Sequence, residues 1–224
     1  MAVYTDVSDE ALQEFLADFA IGSLVAFRGI AEGVENSNFQ LRTTEGDYIL
    51  TLYEKRVNAR ELPWFLGLMQ HLAREGVTCP QPVADRQGIT LKTLAGRPAA
   101  ITTFLPGVWP RTVRLEHCRP LGRALAQLHA AGRSYAPERP NALGPQAWAP
   151  LLQSCANGAD AVQPGLQAEL EQALAHIVPA WPGHGQNAPM PRGQTHADLF
   201  PLNVLLLHST PSRTTAFHTT DAPR

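Results

Sequence analysis

The sequence has few cysteines, and none at metal-binding or redox spacing. Cys79, Cys118 and Cys155 are odd in number and lie far apart, which excludes a disulfide framework and a cysteine-based zinc site and fits a reducing cytoplasm. Charge of either sign is not in excess. With 18 basic against 20 acidic residues there is no electrostatic footprint of a nucleic-acid binder or a polybasic membrane-surface protein, so any phosphate site must be local. No apolar run approaches the roughly 20 residues that span a bilayer. The N-terminal stretch MAVYTDVSDEALQEFL carries acids where a signal peptide needs bases, so a soluble protein is expected. The G-x-S-x-G of serine hydrolases and the G-x-x-x-x-G-K-[ST] of P-loop NTPases are both missing. His184, His196, His208 and His218 are too scattered for a metal-dependent hydrolase. No internal repeat is visible.

What is present is enough apolar material for a sizeable core, 44% of 224 residues, in one large domain or two small lobes. After Ser8, a candidate N-cap, Leu12, Phe15, Leu16 and Phe19 recur at helical spacing. Three apolar or alternating runs follow between residues 23 and 54, broken by EGVENS and by Glu45-Gly46, and predict an antiparallel meander. ELPWFLGLMQHLAREG places Leu62, Phe65, Leu66, Met69 and Leu72 on one helical face, with Pro63 in the first turn and Gly76 as the stop. Short strands are expected in QPVAD, ITLKTL and PAAITTFLPG, with turns at Arg86-Gln87-Gly88 and Ala95-Gly96. LPGVWPRT reads as a linker. Beyond it, Cys118, Leu121, Leu125 and Leu128 align on one helix, and Leu166, Leu170 and Leu174 begin another. Residues 208–224 are rich in Ser, Thr and Pro and are expected to be disordered.

Ahead of the aliphatic run VLLL, His196, Asp198 and Asn203 fit H-x-D-x-x-x-x-N, the catalytic-loop spacing of protein-kinase-like phosphotransferases. Phosphoryl transfer needs a carboxylate to take the acceptor's proton and oxygen ligands for a metal on the phosphates, and this spacing lets the two converge in a loop. On the triplet alone, a polar turn leading into a buried strand is the competing reading.

The order of elements favours the chemistry: a sheet with one long helix, a Pro/Gly linker, helices, then the loop. Over residues 3–207 the chain resembles the homoserine kinases of the aminoglycoside-phosphotransferase and choline-kinase superfamily. The resemblance is carried by FRGIAEGVENSNFQL, YILTLYEK, ELPWFLGLM, GRPAAITTFLPG, ALAQLHAA and HADLFPLNVL. It implies an α+β, bilobal protein-kinase-like fold. An N-terminal nucleotide-binding lobe of antiparallel sheet and one long helix would span 1–104. An incomplete, mainly helical C-terminal lobe would span 105–207, followed by the tail. The implied activity is ATP- and Mg2+-dependent phosphorylation of the L-homoserine hydroxyl, in threonine biosynthesis in the cytoplasm.

By the same resemblance Asp198 is the catalytic base, His196 shapes the loop and Asn203 binds magnesium. Gly33, Glu35, Asn36, Ser37 and Asn38 belong to the hairpin over the phosphates, and Glu61 is the helix-borne acid of the upper lobe. Read alone, that hairpin is an ordinary turn and Glu61 a helix-dipole residue. Thr51 stands where protein kinases keep a phosphate-binding lysine. Lys55 and Arg56 are candidate cations or plain surface, and Arg111, Arg133 and Arg139 are available for an acceptor carboxylate.

Two departures from the family follow. Leu202 replaces a usual aspartate, and no aspartate-bearing strand follows VLLL, the only later carboxylate side chain being Asp221 in TTDAPR, to which no role is assigned. The second predicts severely reduced turnover and a truncated or frame-shifted kinase with uncovered apolar faces. The competing readings are a non-catalytic nucleotide-binding remnant and a kinase for another small hydroxyl substrate, such as choline or an aminoglycoside.

Overall fold

The computed structural model describes residues 4–31, 36–54, 58–182, 190, 193–207 and 215–217, with side chains at all of these except 156, 157 and 215–217. The chain groups into two units, one of Met1–Pro137 with Gln194–Pro223 and one of Glu138–Gly193.

The first unit opens with helix α1 (Asp9–Leu16), whose N-cap Ser8 accepts the Ala11 N–H at 3.2 Å. Leu12, Phe15 and Leu16 are buried as the spacing predicts. Phe19 lies beyond the helix end, where it makes an antiparallel bridge to Asp85 and keeps its ring 5.2 Å from that of Phe15. The expected meander is β1 (Leu24–Gly29), β2 (Ser37–Thr43) and β3 (Gly46–Leu52), joined by β4 (Lys92–Leu94) and β5 (Arg97–Thr103) in the order β1-β2-β3-β5-β4. At the β4–β5 turn both central residues, Ala95 and Gly96, have positive φ (50° and 71°), the backbone of a two-residue hairpin whose twist matches its strands.

Strand alternation gives the sheet two distinct faces. Phe39, Leu41, Leu50, Leu52, Ala99 and Ile101 pack with α1 in one core. Asn38, Gln40, Ile49, Thr51 and Ala100 occupy the intervening positions on the other face. QPVAD, expected as a strand, makes only the isolated bridge Pro82↔Thr102, flanked by Val83 N–H to Ile101 O at 2.8 Å and Thr103 N–H to Gln81 O at 3.0 Å, and the Asp85 bridge. ITLKTL is paired only over its last three residues. The Asp85 carboxylate accepts from Gln87 N and Ile89 N, both at 2.9 Å, and holds the chain before them in a turn.

Helix α2 (Leu62–Arg74) ends as its glycine predicts. Gly76 (φ +82°) donates to Ala73 O and Val77 to Leu72 O, the paired bonds that close a helix through a left-handed residue. Leu72, Val77 and Cys79 then pack with Ala124 and Leu128 of α3 (Leu115–Ala131). Cys118 was expected on the buried stripe of α3 and is exposed; the stripe is carried by Ala124 and Leu128, with Leu121 and Leu125 at its margin. The LPGVWPRT linker contains a two-residue strand, β6 (Gly107–Val108), paired with β7 (Val204–Leu207). Glycine eases that approach, since a Cβ at 107 would lie 3.1 Å from the Leu206 carbonyl oxygen, a contact that the strands would have to shift by a few tenths of an ångström to relieve. Within the tail expected to be disordered, Thr215–Phe217 forms β8 on the other edge of β7, where backbone pairing needs no packed side chain. The remaining tail residues, Asp221 included, lie outside the described residues.

The second unit is a pair of helices, α4 (Pro145–Val162) and α5 (Leu166–Ala180). Asp160 accepts the Gln167 N–H at 2.9 Å between them, and Trp148 meets Trp181 edge-on at 5.0 Å. Leu151 and Val162 are exposed, and no residue of α5 is buried. Among the described residues no helix is long and apolar enough to cross a membrane.

Candidate active site

The H-x-D loop hangs on β7, whose Val204 and Leu205 are buried. Its geometry begins with the backbone. Asp198 N donates to His196 O at 2.8 Å around Ala197, which has φ +59°, a conformation that strains any residue with a side chain. Phe200 N then donates to Asp198 O at 3.0 Å, and Asn203 N to Phe200 O at 2.9 Å, closing the short 3-10 turn Pro201–Asn203. These bonds curl the loop back on itself, so residues five positions apart meet. Asn203 Nδ2 donates to the Asp198 carbonyl at 2.8 Å and to the Asp198 carboxylate Oδ2 at 3.1 Å.

Both acceptors require the nitrogen side of the amide, which leaves Asn203 Oδ1 as the outward oxygen. The exposed Asp198 carboxylate and this amide oxygen are hard donors of the kind magnesium takes from proteins when phosphates supply the rest. Among the described residues no group of three or more His, Cys, Asp or Glu gathers to hold a metal unaided. The pair therefore fits a metal shared with a phosphorylated ligand.

His196 is half-buried behind the loop. Burial holds its pKa below the ordinary 6.5 and His129 pushes the same way, while the Asp198 carboxylate opposes them. The folded protein thus favours the neutral ring, and the unfolded chain binds the extra proton. This contribution to stability is complete above pH 6.5 and is lost as pH falls through the lower folded value. Denaturant melts across pH 7.5 to 5 should show a steeper loss in the wild type than in a His196→Gln variant; parallel profiles would remove His196 from the acid response.

Gly132, at the C-terminal end of α3, sets where the loop starts. A Cβ there would stand 2.8 Å from the Gln194 Cβ, a contact that no side-chain rotation relieves. Gly132→Ala is expected to destabilise the protein by about 1–3 kcal/mol through overpacking. A urea midpoint equal to that of the wild type would show that the loop yields freely.

Of the residues expected over the phosphates, Gly33 and Glu35 lie outside the described residues, as do Lys55 and Arg56. Asn36, Ser37 and Asn38 are buried at the start of β2. The Ser37 hydroxyl is saturated: it accepts from Tyr4 N (2.8 Å) and Thr5 N (3.1 Å) and donates to Glu54 Oε1 (2.7 Å). Glu54 also pairs with Arg97 at 3.1 Å and receives the Thr5 hydroxyl at 2.8 Å, and its N–H reaches Asn36 Oδ1 at 3.3 Å. Asn38 accepts from Thr51, and Glu61 accepts from Asn58 Nδ2 at 3.0 Å at the start of α2. Sequence reasoning missed the partnership of Ser37 with Glu54 and of Asn38 with Thr51; the pairing register of β2 with β3 was the available signal for the second. A cavity of about 230 Å3 along the β1–β2 ladder is lined by Ala26, Phe27, Arg28, Gln40 and Arg42 and by none of the expected site residues.

Comparison with known proteins gives a consistent set of likenesses. The phosphotransferase enzyme family model matches residues 26–217. The homoserine kinase of Gluconacetobacter diazotrophicus is 64% identical over 207 residues, which are 92% of this chain and 64% of that protein. The homoserine kinase of Granulibacter bethesdensis is 62% identical, with 92% and 63% covered. The chain thus spans a little under two thirds of the length of these relatives. Among solved structures, a microcompartment-associated aminopropanol kinase superposes with a TM-score of 0.61 at 20% identity, covering 96% of this chain and 69% of its own. A spectinomycin phosphotransferase in complex with ADP and spectinomycin superposes with a TM-score of 0.59 at 14% identity, covering 96% and 71%. These two share the fold.

Proposed function

Because the chain belongs to the phosphotransferase enzyme family, we propose that it transfers the γ-phosphoryl group of ATP to the hydroxyl of L-homoserine. The observation that carries this reading is the Asn203 carboxamide hydrogen-bonded to Asp198 at the foot of a strained loop. The acceptor is chosen on the curated relatives, which are homoserine kinases at 64% and 62% identity.

In the reaction the substrate hydroxyl oxygen forms a bond to the γ-phosphorus, the bond from that phosphorus to the bridging oxygen of ADP breaks, and the hydroxyl proton passes to the Asp198 carboxylate. Asn203 orients that carboxylate through Nδ2 and offers Oδ1 to magnesium. A bound magnesium ion neutralises charge on the phosphate oxygens. His196, neutral at pH 7 and half-buried, supports the loop backbone and takes no proton in this scheme. Residues 1–104 supply the nucleotide side, and 105–207 supply the transfer chemistry. The fit is to a cytoplasmic enzyme of amino-acid biosynthesis.

The test is ADP release by purified protein with homoserine, with choline and with no acceptor. Homoserine-dependent release is the expected result. Release driven by choline instead would reassign the acceptor, and nucleotide binding without release would leave a non-catalytic nucleotide-binding protein.

A further inference from the structure

The chain from Ala131, the last residue of α3, through the 3-10 turn Gly132–Ser134 to Pro137 meets α2 and also the start of the H-x-D loop. All of these belong to the first unit. Towards the loop there is no slack, since Gly132 has no side chain where Gln194 passes. Towards α2, three successive turns of the helix are fastened. The Tyr135 hydroxyl donates to the Trp64 carbonyl at 2.8 Å, and the Trp64 indole N–H donates to the Pro137 carbonyl at 2.9 Å. The two rings meet edge-on at 5.6 Å. One turn on, Gly67 leaves room for the phenol, because a Cβ there would lie 2.6 Å from Tyr135 Oη. A further turn on, His71 Nε2 lies 3.0 Å from the Ala131 carbonyl, and its ring is 5.3 Å from that of Tyr135. A carbonyl only accepts, so this nitrogen carries the hydrogen and serves one of the end carbonyls that a helix cannot satisfy itself.

Apolar packing alone would let α2 slide or turn against α3, because it has no direction. Hydrogen bonds to backbone carbonyls and an edge-on ring pair do have direction, and they set both the height and the rotation of the helix. Tyr135 is at the centre of them. It stands three residues after Gly132, and Gln194, which Gly132 abuts, stands two residues before His196. We propose that Tyr135 is a positioning residue: it ties α2 to the segment on which the H-x-D loop starts, so that the helix and the Asp198–Asn203 pair keep one fixed relation. Tyr135 touches no reacting atom and acts through Gly132 and Gln194. The effect on turnover rests on the phosphotransfer reading above, whereas the tie itself does not.

Amide hydrogen exchange on the full chain reads the tie without turnover. Tyr135→Phe keeps the ring and loses the hydroxyl. Gly67→Ala presses a methyl against that hydroxyl while favouring the helix that carries it. In both variants the amides of Asp198, Phe200 and Asn203, which donate within the loop, should exchange about three- to tenfold faster, with those of Leu41 and Leu50 in the sheet unchanged. Faster exchange confined to α2 and residues 131–137, with the loop at its wild-type rates, would make Tyr135 a local packing residue and overturn the proposal. Should thermal melts show that Gly67→Ala does not fold, Tyr135→Phe, which adds no volume, carries the test. In ADP-release assays both variants should lower kcat with homoserine by about three- to tenfold at unchanged KM. Wild-type kcat in both variants, or a raised KM alone, would overturn the positioning role. A wild type without turnover contradicts the phosphotransfer reading instead, and the exchange rates then decide the tie.

Discussion

Under the proposed function, Asp198→Asn is expected to lower kcat with homoserine by about a thousandfold while leaving the fold close to wild type. The substitution is a clean probe for a structural reason. Asparagine keeps an oxygen to receive the Asn203 Nδ2 bond, 3.1 Å long in the wild type, and the Asp198 carbonyl that takes the 2.8 Å bond is untouched. Asp198 is exposed, so no buried charge is lost or stranded. What disappears is the carboxylate charge, and with it the proposed proton acceptor. Steady-state ADP release gives kcat and a thermal melt reports the fold; a variant within about threefold of wild-type kcat would assign the proton to another group.

Leu50→Ala is expected to cost about 3–5 kcal/mol, a large share of the stability of an ordinary domain. Leu50 is fully buried on β3, the middle strand of the sheet, opposite Phe39 on β2 and Ile101 on β5. It packs in the same cluster as Leu12, Phe15 and Leu16 of α1, so its loss opens a cavity that a paired ladder on each side cannot collapse to fill. Urea unfolding should show an earlier midpoint at an unchanged slope. A loss below about 1 kcal/mol would mean that the sheet and α1 close over the gap.

Elements whose cause is local were legible in the sequence. Ser8 ahead of a 3.6-residue stripe, Ala95-Gly96 between two strands and Gly76 behind a helix each act through bonds a few residues long, and each stands where it was expected. Features that depend on distant partners were not legible. Gly107–Val108 becomes a strand only because Leu206–Leu207 lies beside it, and Cys118 turns outward because Leu72 and Val77 select Ala124 and Leu128 instead. Helix α4 was passed over although Trp148, Leu152, Cys155 and Ala159 have helical spacing; Pro150 and two glycines inside or bounding it obscure the pattern.

The site divides the same way. The spacing of His196, Asp198 and Asn203 was visible, and so was the need for a carboxylate and a carboxamide to converge. The positive φ of Ala197 and the direct Asn203–Asp198 bond that make them converge were not, since nothing in an alanine announces a strained turn. Ser37 shows the reverse case. A small polar residue in a turn reads as a ligand contact, yet its hydroxyl is occupied by Tyr4, Thr5 and Glu54, partners 17 to 33 positions away.

Whether Asp198 and Asn203 form one metal-linked phosphate site is tested most directly by titrating ADP into wild type and Asn203→Ala, each with magnesium and with the metal chelated. In the wild type, magnesium should tighten ADP binding by about tenfold or more, and Asn203→Ala should lose most of that gain while binding metal-free ADP as before. An equal magnesium effect in both proteins would contradict the assignment and leave the 3.1 Å contact as a loop fastening only.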